Sequence, residues 1–431
     1  MLLACAWGSA VVVLWAAQRV AALTMAVTPG PPGSARRGPA LTATATTSPP
    51  TLDRRRNGGG HTVRVDGDAA AATTAVYVHL PFCRRRCFYC DFPIAVVGDR
   101  GADAATAPYV DLVIRELRYE SSRCRPSTTV TSLYFGGGTP SLASPREIAR
   151  LVEAVSTHVG PLAADAEVTL EADPGTFDRA KAAAYCAAGV TRLSVGIQSF
   201  RDVELAAIGR AHDAAEARHA AAVAAELTDS GVLRHGWSLD VISGLPGQTL
   251  ESWRATLRDA IAADPCHISA YDLQIQKGTA FARWYGRDRG VHVLWGDDDD
   301  VDDVLVSSDA TRRRGVSERP ALPTEDVAAD MYVATSAMLR AAGFEHYEIS
   351  SFAKRRRSRH NARYWGPGAS WLAAGLGATS ATRLENAPYP ASRKRSRPRT
   401  LAAYEAYVDG LPSTAPHGDD DDDDELPDVA D

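Results

Sequence analysis

From Ala75 onward the apolar positions fall into short blocks that alternate with longer amphipathic stretches. The blocks Val76–Leu80, Ser132–Phe135, Glu167–Glu171, Arg192–Gly196, Ser238–Ile242 and Ile268–Asp272 predict six strands. The stretches Tyr109–Ser121, Pro145–His158, Asp178–Ala188, Ala214–Leu227 and Leu250–Ala262 predict the helices between them. This alternation argues for a parallel sheet with helical crossovers, as a partial barrel or an open doubly wound sheet. Further on, Thr324-Glu325-Asp326 starts a helix over Val327–Ala342 with Gly343 as its C-cap, and Phe344–Ser350 predicts one more strand.

What stands just past each strand changes the picture. The first strand runs into Cys83-Arg84-Arg85-Arg86-Cys87-Phe88-Tyr89-Cys90, and the second into Gly136-Gly137-Gly138-Thr139-Pro140. The third ends at Glu171, followed by Ala172-Asp173-Pro174, and the fourth reaches Gln198. The fifth carries Asp240 ahead of Ser243-Gly244, and the sixth carries Tyr271 and Asp272. In parallel α/β folds the C-terminal strand ends share one face, where ligands bind, so these six features should converge on one mouth. Singly, a glycine after a strand is a turn former and a carboxylate there is a helix cap. Six together beside a cysteine cluster argue for a site.

The C-x3-C-x2-C loop can aim three thiols at one point. Thiolates hold iron–sulfur clusters and also zinc. A structural zinc needs a fourth ligand, and His79, inside the first strand, is the only nearby candidate. Three arginines between the first two thiols would favour thiolates and offset an anionic cluster. The other four cysteines, Cys5, Cys124, Cys186 and Cys266, are scattered. That is not a disulfide framework, and it implies a reducing compartment.

Composition adds boundaries. The 431 residues are 45% hydrophobic and 23% charged, which suits one large or two smaller soluble domains. A net charge of -6 gives no signal for nucleic acid as a partner. Residues 1–70 hold no Asp or Glu before Asp53, and Leu2–Ala17 is uncharged and largely apolar. They read as a targeting segment, addressed to a plastid or alternatively to a mitochondrion. The apolar run is short for a membrane span, so no stable span is expected. Residues 71–286 form the strand–helix unit. Residues 287–323, with Asp297–Asp300 and Arg312–Arg314, read as a charged disordered insertion, 324–412 as a C-terminal region, and 413–431 as an acidic disordered tail.

The stretches YVHLPFCRRRCFYCDF, YFGGGTPSL, LEADP, RLSVGIQSF, IGRAH, LDVISGLPGQT, HISAYDL, EHYEISSFA and RHNARYWG follow one another in this order between Ala75 and Gly410. They resemble the radical S-adenosylmethionine (SAM) proteins related to oxygen-independent coproporphyrinogen III oxidase, HemN, and within that group the HemW-like heme chaperones. The resemblance implies a partial (β/α)6 TIM-type radical SAM barrel with a small α+β C-terminal region. It implies a [4Fe–4S] cluster on Cys83, Cys87 and Cys90, with the fourth iron left for SAM. It puts Tyr77 near the cluster, Tyr89 against the adenine, and the Gly137, Gly138 and Thr139 backbone at the methionine moiety. Glu171, Gln198, Arg210 and Asp240 match positions that contact SAM.

Two features set the branch. The oxidase has a further cysteine two residues after the third ligand, where this chain has Phe92. The H-N-x-x-Y-W element is typical of HemW-like proteins, and here it is His360-Asn361-Ala362-Arg363-Tyr364-Trp365. His360 is accordingly expected to contact heme, with Tyr364 and Trp365 stacking on the macrocycle. The expected function is a heme chaperone that loads organellar heme proteins and draws on an electron donor for its cluster. The alternatives are oxidative decarboxylation of coproporphyrinogen III and an unassigned radical SAM reaction. The insertion is longer and more charged than the resemblance implies, and the C-terminal region is shorter.

Overall fold

A computed structural model describes residues 73–98, 102–121, 128–286, 319–366, 369–383 and 392–412. The targeting segment, most of the charged insertion, Cys5, Cys124 and the acidic tail lie outside the described residues.

All six predicted strands form. They are β1 (Thr73–Leu80), β2 (Thr129–Gly137), β3 (Leu162–Ala172), β4 (Arg192–Gln198), β5 (Trp237–Ser243) and β6 (His267–Asp272). They pair in sequence order and in parallel, so their C-terminal ends share one side. Every residue of β5 is buried, as expected of a parallel strand covered on both faces. The crossovers are α1 (Ala102–Ser121), α2 (Pro145–Ala154), α3 (Arg179–Ala187), α4 (Ala214–Asp229) and α5 (Leu250–Ala262). Side-chain caps fix their starts: Ser144 accepts from the Glu147 N–H, Asp178 from Lys181, and Asp213 and Thr249 sit in reciprocal capping boxes. The helix predicted through His158 stops as an α-helix at Ala154 and ends in a π-turn over Val155–Val159.

The C-terminal region does not stand apart. α6 (Glu325–Ala341) packs on α5, where the Trp253 Nε1–H donates to Thr335 Oγ1 at 2.9 Å. The predicted strand after it is two strands, β7 (Glu345–Glu348) and β8 (Ser351–Ala353), and β8 runs antiparallel to β6. A six-residue helix, α7 (Arg359–Tyr364), follows. β9 (Leu372–Ala374) then pairs in parallel with the far edge strand β1, Val76 opposite Leu372. The sheet is therefore nine strands in the order β9-β1-β2-β3-β4-β5-β6-β8-β7, with the C-terminal region on both edges. A hairpin, β10 (Thr379–Arg383) with β11 (Ser392–Ser396), and α8 (Leu401–Asp409) complete the described chain.

A buried polar clasp fastens this last part to α1. Glu116 Oε1 accepts from Arg397 Nε at 2.6 Å. Its Oε2 accepts from the Gly375 N–H at 2.8 Å and from the Tyr404 hydroxyl at 2.7 Å. The Glu116 and Arg397 side chains are both 0% exposed. The turn held this way presses on β1: a Cβ at Gly375 would stand 2.6 Å from the His79 carbonyl oxygen, so only glycine fits.

Candidate cofactor site

The cysteine loop leaves β1 at Leu80 and is built by its own backbone. The Ala95 N–H donates to Pro81 O and the Val97 N–H to Cys83 O, both at 2.9 Å. The glycine loop after β2 docks on it through Gly138 N–H to Leu80 O (2.9 Å) and Thr139 N–H to Phe82 O (2.8 Å). A Cβ at Gly138 would lie 2.6 Å from the Pro81 backbone, so the glycine is needed to seat this loop against the one that carries the thiols. Phe88 anchors the far side, with its N–H on Ile208 O and its ring 4.9 Å from that of Trp284.

The loop arginines do structural work beside the expected electrostatic one, since the Arg86 charge favours the Cys90 thiolate. Arg86 donates to the carbonyls of Cys90, Phe92 and Ile94 at 3.2–3.3 Å, and Arg84 donates to Gly175 O at 2.7 Å. They brace the loop. The guanidinium that reaches a thiol comes from far along the chain: Arg210 Nη1 lies 3.6 Å from Cys87 Sγ. Arg210 also pairs with Asp173 and donates to Gly196 O at 2.8 Å. Burial pushes the Cys83 thiol up to about 12 and the Cys90 thiol to about 11, so both are protonated in the metal-free chain.

Above the parallel strand ends lies an open cavity. Of the residues singled out from sequence, Cys83, Cys87, Cys90, Tyr89, Gly137, Gly138, Thr139, Glu171, Gln198, Arg210 and Asp240 line it. Its walls carry several fixed polar groups. Glu171 is held from two sides, by the Tyr134 hydroxyl at 2.8 Å and the Gly137 N–H at 3.1 Å, and burial raises its carboxyl. Asp240 accepts from Ser194 Oγ at 3.0 Å, and burial lifts it to about 6. Its Oδ1 and the Oε1 of Gln198 are buried without a hydrogen-bond partner. Gln198 holds a φ of 65°, a conformation that a side chain of its size rarely adopts.

Tyr77 and His360 do not line the cavity, and neither do Tyr271 and Asp272 of the sixth strand. Tyr77 sits beneath it, its hydroxyl 3.1 Å from His79 Nδ1 and its ring stacked on Tyr134. His360 lies on α7 at 1% exposure, and burial lowers its imidazole to about 3. Its Nδ1 is 3.1 Å from Ser132 Oγ and its Nε2 is 3.0 Å from the Tyr364 hydroxyl. Neither nitrogen is free for a heme iron in this arrangement. Tyr364 packs edge-on to Trp371, while Trp365 is 45% exposed. His79 is likewise engaged at both nitrogens, the second by Pro93 O at 2.9 Å, so it is not a fourth metal ligand. Among the described residues no three His, Cys, Asp or Glu side chains close on a point as a finished metal set would. Asp173, expected at the mouth, lines the cavity, and Ser194, not singled out from the sequence, does so too. Alternation along β4 from Gln198 was the available signal for Ser194.

Comparison with known proteins agrees with this geometry. Residues 77–260 match the Radical SAM superfamily. The chain is 37% identical over 340 residues to the heme chaperone HemW of Synechocystis, covering 78% of this chain and 71% of that one. It is 32% identical over 327 residues to HemW of Escherichia coli, covering 75% and 74%. A mouse protein, radical S-adenosyl methionine domain-containing protein 1, mitochondrial, is 37% identical over 312 residues, and the match spans 61% of its length. In fold the chain is similar to the structure of coproporphyrinogen III oxidase HemN from Escherichia coli, with a TM-score of 0.56 at 22% identity over 79% of this chain and 69% of that one. With three cysteines at the mouth of a parallel α/β sheet and two HemW proteins matched over more than two thirds of their length, the chain belongs to the HemW family of radical SAM proteins.

Proposed function

We propose that the protein is a heme chaperone that carries a [4Fe–4S] cluster and SAM, binds heme and hands it to heme proteins of an organelle. The observation that carries this reading is a three-thiol loop with no fourth protein ligand beside it among the described residues, opening on a cavity with unmatched polar atoms. Cys83, Cys87 and Cys90 would hold three irons, with Cys83 and Cys90 giving up protons that burial otherwise favours. Asp240 Oδ1 and Gln198 Oε1, buried and unpartnered, suit the hydroxyl and amino donors of a nucleoside ligand. Gly137, Gly138 and Thr139 would offer backbone to the methionine end, and Tyr89 a ring to the adenine. Bound together, cluster and SAM supply one-electron chemistry, for which an external electron donor is required. The chain's own groups bind, orient and shield.

Phe92 in the position of the oxidase's extra cysteine favours the chaperone over porphyrinogen decarboxylation, and Phe92 lines the cavity. The mitochondrial name of the mouse relative supports an organellar address, with the mitochondrion now ahead of the plastid. No helix among the described residues is long and apolar enough to cross a membrane. The test is a heme titration of the cluster-loaded protein, with and without SAM, read by absorbance, beside an anaerobic assay with coproporphyrinogen III. Stoichiometric heme binding without decarboxylation is expected. Decarboxylation, or no heme binding, defeats the proposal.

A further inference from the structure

Helix α7 lies across the floor of the barrel. On one side the Ser358 hydroxyl and the His360 N–H donate to Glu167 Oε1 of β3, at 3.3 and 3.2 Å. On the other, Asn361 Nδ2 donates to Ser351 Oγ of β8 at 3.0 Å and to the Tyr347 hydroxyl of β7 at 3.2 Å. A six-residue helix thus ties early strands to the last ones through the barrel's interior.

The His360 ring then meets the underside of the cavity wall. It stacks on Tyr134, centroids 4.9 Å apart and planes 26° apart, while Ser132 on the same strand face fixes its Nδ1. Tyr77 stacks on the same tyrosine at 6.1 Å. Tyr134 carries this order upward, because its hydroxyl donates to Glu171 Oε1 and the other oxygen of Glu171 receives the Gly137 N–H. The path from α7 to the glycine loop is continuous: His360, Tyr134, Glu171, Gly137. A buried carboxylate with two fixed donors has little freedom to turn.

We propose that His360 is a positioning residue for the SAM cavity, acting through Tyr134 on Glu171, and not a ligand of heme. This rests on the reading of the cavity as the SAM site. The test uses the cluster-loaded full chain with His360→Gln, Tyr134→Phe and the double variant. SAM affinity is read by equilibrium dialysis, and heme affinity and the Soret band by titration. Tyr134→Phe should weaken SAM binding about tenfold, the scale of one lost hydrogen bond to a charged group, and His360→Gln about threefold, the scale of a lost aromatic stack. The double variant should lose no more than Tyr134→Phe alone, since both act along one path. The heme spectrum and affinity should stay those of the wild type.

An unchanged SAM affinity in His360→Gln, losses that multiply, or a shifted Soret band overturns the inference. A wild-type chain that binds no SAM overturns the cavity reading as well, whereas normal binding beside an unaffected His360→Gln overturns this inference alone. If His360→Gln does not fold, Tyr364→Phe removes only the hydroxyl on Nε2 and should cost about threefold. No change there refutes the proposal equally.

Discussion

The clasp around Glu116 gives a sharp test of what holds the cysteine loop in place. Glu116→Gln keeps the shape and removes the charge. The glutamine can offer an oxygen either to Arg397 or to Gly375 and Tyr404, so its NH2 must confront a donor on the other side. Breaking a buried pair from one side typically costs about 3–5 kcal/mol, because the remaining charge is left uncompensated. Glu120 lies 3.5 Å from Arg397 Nη2 and takes up part of that, so the lower end, about 3 kcal/mol, is expected. In urea, with a slope of about 3 kcal/mol/M for a chain of this size, the midpoint should fall by about 1 M. The double variant Glu116→Gln with Arg397→Met should recover more than half of the loss, since no lone charge remains. The same single variant should release cluster iron faster, because the Gly375 turn backs His79 at the base of the loop. A midpoint shift below about 0.3 M, or a double variant worse than the single, would show that the clasp is not carrying the load assigned to it.

Two further outcomes follow from the site. Replacing Cys83, Cys87 or Cys90 by Ala should abolish the iron–sulfur absorbance of the reconstituted protein, and a triple Ala variant that retains full iron and sulfide would sink the cluster assignment. Asp240→Asn should weaken SAM binding yet stabilise the metal-free fold at pH 7–8. Burial raises the Asp240 carboxyl to about 6, so the folded state holds that proton more tightly than the unfolded chain, and the wild type loses stability as pH rises from about 4 to 6. The gain from the asparagine should approach about 3 kcal/mol above pH 7 and vanish near pH 4; a gain independent of pH would refute the cause given.

The strand–helix unit was legible because each element carries its own local signal. Buried strands such as β5 are short apolar runs, and the helices open on Ser, Asp or Thr caps. The convergence of the first five strand ends on one cavity was legible too, since they pair in parallel in sequence order, whereas Tyr271 and Asp272 of the sixth do not line it. What was not legible depends on contacts distant in sequence. Leu372–Ala374 is three residues in a glycine-rich stretch, and nothing local says that it pairs with Val76–Val78. Arg84 to Arg86 read as charges for the thiols, and Arg86 does favour the Cys90 thiolate, but its hydrogen bonds to the loop's own carbonyls and the approach of Arg210 to Cys87 have no local signal. His360 shows the same limit. Histidine beside Asn, Tyr and Trp reads as a ligand, and nothing local says that its ring stacks on Tyr134 and meets Ser132 of a distant strand.

The pairing of β9 with β1 also sets an order of events during synthesis. β1 and the cysteine loop leave the ribosome early, but the strand that covers the outer edge of β1 emerges about 300 residues later. Until then the edge is open, and the turn at Gly375 that backs His79 does not exist. The loop that offers three thiols is therefore finished among the last parts of the molecule. Loading of a cluster on these thiols would then be a step for completed chains, and a nascent or clipped chain that ends before residue 369 would present its thiols on an unfinished edge.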